Sequence, residues 1–362
     1  MRILQLNIER GWRGGERQTL LCMRQFRATG HEAELAARKG GALAKAAAAE
    51  GFVVHEVGGM GSLVGFLLRC GRGFDVLHAQ TANTLTWLAL LKWWLRRPVV
   101  FTRRTAFSVP AARLRKTVWK WRKADAFVAI SEAAAAQPRG AGLSVALIPS
   151  AVVEFPVDLQ HIRAFAEKRG LAGKRVIATA AALTHEKDPF TLIRAIAILR
   201  QTRDDFVFLH LGAAGDVAAQ AFQLVRELGL ERHYLFAGFQ SRIEDLYRLM
   251  DVFVLSSREE ALGSSVLDAF LYSVPVVATD AGGLPELTAD GRGLSCKVGD
   301  AQGIAQALGR VLDDADLRKG MVARARDYVL REHDATTMAR RYLDEYARVS
   351  GEGIAPGSSS RE

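Results

Sequence analysis

Short apolar runs alternate with helix-length stretches along almost the whole chain, and that alternation leaves few folds open. It calls for parallel strands covered by helices on both faces. In the first half strands are predicted at Ile3–Ile8, Ala33–Ala37, Phe52–Val57, Phe74–Ala79, Val99–Thr102, Ala126–Ile130 and Val145–Ile148. Helices fill the gaps, among them the alanine-rich Gly41–Glu50, which Gly51 is well placed to stop. The segment Pro149–Asp158, with two prolines, interrupts the rhythm as a linker. A second series follows at Arg175–Thr179, Phe206–Leu211, Tyr234–Phe236, Val252–Leu255 and Val274–Ala278, and helical patterns at Gly303–Leu312, Leu317–Arg331 and Thr336–Arg348 close the chain.

A length of 362 residues, 49% hydrophobic and 24% charged, suits two cored domains and excludes global disorder. The expected organisation is two doubly wound, Rossmann-like α/β domains. They are residues 1–155 and 156–333, with a helix at 334–350 able to pack back on the first domain and a disordered Gly/Ser tail at 351–362. In such sheets ligands bind beyond the carboxyl ends of the strands, so a site is expected in the cleft where those ends of both sheets meet. No apolar run approaches the length of a membrane span and the amino terminus lacks a signal-peptide core, so a cytoplasmic protein is expected. Cys22, Cys70 and Cys296 are too widely spaced for a disulfide framework or a CxxC metal site, and read as small core residues.

Charge divides the chain. The first 150 residues carry 23 Lys/Arg against 9 Asp/Glu, and the remainder 26 against 30. Within the first part, Lys92 to Lys123 holds 11 basic residues and no acid, interleaved with Trp93, Trp94, Trp119 and Trp121.

Three loops carry residues fit for chemistry. The first strand runs into Gly14-Gly15 and a helix, a tight turn whose free amides suit an anion or simply make a βα turn. It is not GxGxxG, and Ala36-Ala37-Arg38-Lys39 stands where a dinucleotide binder places an acid, which disfavours an oxidoreductase. After Arg175–Thr179 comes a loop with His185 and Lys187, ahead of a helix beginning near Pro189. After Val252–Leu255 comes the strongest constellation: Glu260 in a loop, the amides of Leu262, Gly263, Ser264 and Ser265 at a helix start, and Asp268 about one turn inside. A helix N-terminus favours phosphate by about 0.3–1 kcal/mol from its dipole alone. Glu260 can accept from hydroxyls and Asp268 can reach a ribose.

In this order, followed by Pro275-Val-Val-Ala-Thr-Asp-Ala-Gly-Gly-Leu-Pro-Glu286, the loops resemble those of retaining GT-B glycosyltransferases of the glycosyltransferase 4 type, across essentially residues 1–348. The resemblance implies that Glu260 holds donor-sugar hydroxyls, Asp268 the nucleotide ribose and Lys187 the diphosphate. It implies a nucleotide-diphosphate-sugar donor, front-face transfer to a saccharide acceptor, and no metal or other cofactor. Asp314-Ala-Asp316 has a DxD form but sits between helices, away from any strand end. The sequence departs from the family at three points. Asp268 replaces a glutamate. Ala182 stands where the family's Gly-Arg-Leu-x-x-x-Lys has arginine. Arg103-Arg104 follows the fifth strand where relatives often place a histidine. Arg103 or Arg104 is expected to restore the lost charge, with a surface basic patch as the other reading. His78, at a strand's carboxyl end, is expected to face the cleft as a similar histidine does in relatives; a structural role is the alternative. Phe239 is a candidate to flank the base, whose identity is open.

The stretch 92–123 lies in the half that binds acceptor in this family. Anionic lipid or lipopolysaccharide at the inner membrane face is the expected partner, with a solvated face as the alternative. No nucleic-acid motif accompanies the charge, so nucleic acid is not expected. The resulting expectation is a cytoplasmic, peripheral glycosyltransferase of lipopolysaccharide-core or lipid-linked glycan assembly. The runner-up is a non-catalytic saccharide-binding protein that kept the fold.

Overall fold

A computed structural model describes residues 1–12 and 14–351. From residue 352 onward the expected tail lies outside the described residues, as does Arg13 of the first glycine-rich turn. The chain forms two compact units, Met1–Ala151 together with the chain from Ala335, and Val152–Asp334. The boundaries expected at 155/156 and 333/334 thus fall at 151/152 and 334/335.

The first unit holds seven strands: β1 (Arg2–Asn7), β2 (Glu32–Arg38), β3 (Val54–Val57), β4 (Val76–Ala79), β5 (Val99–Arg103), β6 (Ala126–Ala129) and β7 (Ala146–Leu147). They run parallel in the order β3-β2-β1-β4-β5-β6-β7. The order reverses between β1 and β4, which pair with Gln5 opposite His78. Both faces of the central strands are buried: on one, Leu4, Leu6, Leu77, Val99 and Phe101 pack under Leu63, Leu67, Leu85 and Leu88 of the crossover helices, and on the other lie the buried polar residues Gln5, Asn7, His78 and Thr102. Trp121 meets Phe127 edge to face at 5.6 Å within this core. That burial removes Trp121 from the tryptophans expected at a membrane interface. Trp94 is also engaged, donating from Nε1 to Leu68 O at 3.3 Å beneath the Arg72 guanidinium.

The second unit holds β8 (Arg175–Ala180), β9 (Phe206–Leu211), β10 (Tyr234–Gly238), β11 (Val252–Leu255), β12 (Val276–Thr279) and β13 (Leu294–Cys296), parallel in the order β10-β9-β8-β11-β12-β13. Here the reversal lies between β8 and β11. β13 was not expected: three residues following Gly291 and Gly293 carry too little apolar pattern to read as a strand, and pairing with β12 makes it one. The helices Pro189–Arg200 and Ala301–Asp313 bury Ile193, Ile196, Ile304, Leu308 and Val311 with Phe206 and Phe208 of β9 and Val252 of β11 in one core.

The helix Ala335–Ser350 belongs to the first unit. Its apolar stripe recurs at helical spacing as Met338, Tyr342 and Tyr346, all buried. Among the described residues no helix is long and apolar enough to cross a membrane.

Candidate active site

Because β8 and β11 are neighbours at the order reversal, the loops that leave them, Ala181–Asp188 and Ser256–Gly263, emerge side by side beyond the carboxyl edge of the sheet. Hydrogen bonds weld them together. Ser256 Oγ donates to Lys187 O and Asp188 O, each at 3.0 Å, and Arg258 N donates to Glu186 O at 2.8 Å. The Arg258 guanidinium lies 2.9 Å from the Asp188 carboxylate, which also caps the helix Pro189–Arg200 through Thr191.

A third loop closes on these two, and only glycine permits the approach. A Cβ at Gly282 would sit 1.8 Å from Glu260 O, and one at Gly283 2.4 Å from Ala261 O. With no side chains there, Gly283 N donates to Glu260 O at 3.0 Å. On the other side Gly212 packs against Ala181 in the same way, a Cβ there falling 1.8 Å from Ala181 O.

The outcome is that Lys187 Nζ and Glu260 Oε2, far apart in sequence, form an ion pair whose side chains stay 26% and 14% exposed. Ser257 Oγ stands 3.4 Å from the same carboxylate oxygen. Next to Glu260 the chain turns at Gly263, in the left-handed region with φ 97°, where any Cβ would also strike Leu284 at 2.6 Å. The helix Ser264–Leu271 starts there without a side-chain cap, so among the described residues no cap holds the Ser264 and Ser265 amides. Leu262 is buried behind the turn, and Asp268 is buried one turn into the helix. Two hydroxyls at the exit of β8, Thr179 Oγ1 and Thr184 Oγ1, are buried with no hydrogen-bond partner among the described residues.

One contributor escaped sequence reasoning. His210, the single polar side chain in the run Phe206–Leu211, lies buried against β8. Its Nε2 donates to Ala181 O at 3.0 Å and its Nδ1 accepts from Tyr234 Oη at 2.8 Å. Burial pushes its pKa down to about 4 despite the Ala181 carbonyl, so the neutral ring buttresses the first residue of the Lys187 loop. A histidine in an otherwise apolar strand was the available signal. His185 is exposed, and Phe239 is 62% exposed just after β10. Asp314 caps the helix Ala315–Glu332 through Leu317 N at 2.8 Å, which accounts for the DxD pattern.

In the first unit the residues separate. Gly14 begins the helix Gly14–Ala28 that follows β1, and a Cβ on Gly15 would lie 3.6 Å from Arg104 Cδ. Arg104 is held with Nε and Nη2 on Gln80 Oε1 at 3.1 and 2.8 Å and Nη1 on Ser150 Oγ at 3.3 Å. The structure therefore brings Arg104 beside the glycine turn. Arg103 goes elsewhere: its guanidinium is buried and committed to Phe107 O at 2.6 Å, Ala134 O at 3.2 Å and Gln137 Oε1 at 3.3 Å, across Trp121. Successive side chains at a strand end point to opposite sides, so one arginine of the pair had to turn inward. Arg103 is an internal strut rather than a phosphate contact.

His78 does not take the expected place either. It is fully buried, with Nδ1 on Tyr346 Oη at 2.6 Å and Nε2 on Thr102 Oγ1 at 2.8 Å. Burial, with the Arg104 charge, holds its pKa well below the usual histidine range. The tyrosines of the helix Ala335–Ser350 cover the ring, so it does not face a cleft.

Among the described residues no group of three or more His, Cys, Asp or Glu is placed to hold a metal ion. Two family models match the chain in succession, "Glycosyltransferase Family 4" over residues 12–160 and "Glycosyl transferases group 1" over residues 162–328. An N-acetyl-alpha-D-glucosaminyl L-malate synthase of Bacillus anthracis is 34% identical over 35% of this chain and 34% of its own length. The lipopolysaccharide core biosynthesis mannosyltransferase LpsB of Rhizobium meliloti is 27% identical over 75% of this chain and 80% of its own. The chain spans 34%, 44% and 48% of the lengths of three curated relatives it matches. The solved structure of Anabaena Alr3699/HepE in complex with UDP and glucose superposes with a TM-score of 0.86 at 23% identity, over 95% of this chain and 98% of that one. The chain belongs to the GT-B glycosyltransferases of the glycosyltransferase 4 type.

Proposed function

We propose that the protein is a retaining glycosyltransferase that moves a sugar from a nucleotide-diphosphate-sugar to a saccharide acceptor, of the lipopolysaccharide-core or lipid-linked kind. The observation that carries this reading is the Lys187–Glu260 pair beside the uncapped Gly263–Ser265 helix start, at the strand-order reversal of the second unit. An ammonium group and uncapped amides converge there with a carboxylate able to accept hydrogen bonds from hydroxyls. A diphosphate and its attached hexose call for that combination. Relatives named as lipopolysaccharide core glycosyltransferases, and a structural neighbour holding UDP and glucose, support the substrate class.

The chemistry follows from charge. As the anomeric C–O bond to phosphate breaks, positive charge grows on the sugar and negative charge on the departing diphosphate. Cations and amides aimed at that phosphate lower the barrier. Lys187 and the Ser264 and Ser265 amides serve the diphosphate, Glu260 the donor hydroxyls, and Asp268 the ribose. In the first unit Arg104 and the Gly14–Gly15 turn make an anion-binding pair. The new C–O bond forms on the face the phosphate leaves, and the acceptor's proton passes to a phosphate oxygen. With protein cations supplying the charge, no metal is required, and activity is expected to survive a chelator.

Placement at the inner face of the cytoplasmic membrane is proposed from the basic stretch 92–123. The function is tested by thermal shift with UDP-, GDP-, ADP- and CDP-linked sugars against NAD(H), followed by transfer assays with the stabilising donor. Stabilisation by one sugar nucleotide is expected, and stabilisation by NAD(H) alone would refute the reading.

A further inference from the structure

Arg104 follows β5 directly at the carboxyl edge of the first sheet, and its surroundings fix it without neutralising it. Gln80 Oε1 accepts from Nε and Nη2 at 3.1 and 2.8 Å, and Ser150 Oγ accepts from Nη1 at 3.3 Å. Gln80 is itself anchored, donating to Gln5 Oε1 at 2.7 Å, and the Tyr342 hydroxyl is a further neutral neighbour of the guanidinium. Elsewhere in this unit arginines are matched by acids: Arg2 by Glu32 and Glu34, Arg24 by Glu50, Arg139 by Glu132. Arg104 has no carboxylate partner among the described residues. A guanidinium carries five N–H donors, and Gln80 and Ser150 take three of them. Holding a part-buried cation among neutral acceptors costs desolvation, which an arriving anion offsets through charge-assisted bonds roughly twice as strong as neutral ones.

Two aromatic rings lie in the loops that meet at this arginine. Trp12, in the loop leaving β1, is 38% exposed, and Phe107, in the loop leaving β5, is 50% exposed. The first loop reaches Arg104 at Gly15, whose Cβ would lie 3.6 Å from Arg104 Cδ. The second is held in place: Phe107 O accepts from Arg103 Nη2 at 2.6 Å, and Gln137 bonds Val109 N and Val109 O at 2.9 and 3.0 Å. An aromatic face suits the C–H face of a pyranose, and a guanidinium fixed in advance suits an oxyanion carried on that ring. A neutral sugar would use the rings and leave the cation uncompensated. A simple anion would use the cation and leave the rings unexplained.

We propose that the first unit selects an acidic saccharide, one bearing a carboxylate or a phosphate, with Arg104 holding the oxyanion and Trp12 and Phe107 lying against sugar rings. The proposal rests on the glycosyl-transfer reading and names the chemistry of its acceptor. Lys187 and the Ser264 and Ser265 amides already serve the donor's diphosphate in that reading, so the anion at Arg104 belongs to the other substrate.

The test is saturation-transfer NMR on the full chain with methyl glucoside, glucuronate and glucose 6-phosphate, beside calorimetric titration of UDP. Wild type is expected to bind one or both acidic sugars roughly ten- to a hundredfold more tightly than methyl glucoside, and salt should narrow the gap. Which of the two binds distinguishes a carboxylate from a phosphate. Arg104→Gln should abolish the preference while UDP affinity holds. Gln80→Glu leaves the arginine in place but sets a carboxylate against it, and should abolish the preference as well. Trp12→Ala and Phe107→Ala should weaken acidic and neutral sugars alike. Should the Arg104 and Gln80 variants not fold, inorganic phosphate added to wild type decides the matter: it is expected to displace the acidic sugars and spare methyl glucoside. Equal affinity of wild type for neutral and acidic sugars would overturn the proposal. So would loss of UDP affinity in Arg104→Gln with the sugar preference intact, which would give the arginine to the donor's diphosphate. The transfer reading is scored separately, by sugar-nucleotide stabilisation of wild type, so the two can fail independently.

Discussion

Lys187 and Glu260 neutralise each other across two loops, so each matters more for what it offers a substrate than for stability: a part-exposed pair of this kind contributes about 0–1 kcal/mol. Lys187→Ala is therefore expected to lower kcat roughly 10²–10³-fold, the cost of one donor aimed at developing charge, while the melting temperature changes little. Near-normal turnover would remove Lys187 from the mechanism. The opposite balance holds at Gly282, which sits at φ 52° with its missing Cβ 1.8 Å from Glu260 O. Gly282→Ala should cost on the order of 3 kcal/mol, a drop of roughly 10 °C in Tm by calorimetry, because strain and overlap with backbone act together. At this scale the meeting of Lys187 and Glu260 beside the Gly263 turn was legible because residue type and loop position coincide. Arg103 was not, since nothing in an Arg-Arg pair says which side chain turns inward, and that choice was made by Gln137 and the carbonyls of Phe107 and Ala134. His210 was missed because its partner, Ala181 O, is a backbone atom of another strand's loop.

Elements were easier to read than their contacts. Twelve of the strands follow from apolar runs bounded by turns, whereas β13 exists only through its pairing with β12. The helix Ala335–Ser350 is plain from its period, but the sequence does not disclose why two of its buried positions are tyrosines. The structure does: Tyr346 Oη accepts a hydrogen bond from Gln5 Nε2 at 3.2 Å and lies 2.6 Å from His78 Nδ1, and Tyr342 Oη lies 3.1 Å from Thr102 Oγ1. Gln80 extends this set, donating to Gln5 Oε1 at 2.7 Å while its own oxygen accepts from Arg104. The helix is thus tied by hydroxyls into the polar cluster that orients Arg104. Tyr346→Phe keeps the ring packing and strips that cluster of one buried partner, so urea unfolding should show a loss of about 1–3 kcal/mol. A change within a few tenths would mean the cluster re-satisfies itself without the hydroxyl.

Over the whole molecule the buried histidines set how it meets acid. His78 in the first unit and His210 in the second are both neutral, bonded and enclosed, with pKa values depressed by burial, that of His210 to about 4. Below the ordinary value near 6.5 the unfolded chain takes up protons these rings refuse, so stability falls as pH drops. For His210 the loss begins near 6.5 and is complete near 4, amounting to roughly 3 kcal/mol. Asp245 acts in a lower window. Although burial alone would raise its pKa, Arg242, the Asp158 amide and His161 draw it down to about 2, so its contribution is present above 3.8 and lost only toward 2. Acid sensitivity should therefore appear first in the histidine window, before Asp245 is protonated. Urea unfolding at pH 7 and at pH 5 measures it: wild type is expected to be less stable at pH 5, and His210→Phe, which costs stability at both, should flatten the difference. An unchanged slope in His210→Phe would mean that the ring behind the Lys187 loop takes up its proton over the same range in the native and the unfolded chain, and that burial does not keep it a neutral donor to Ala181.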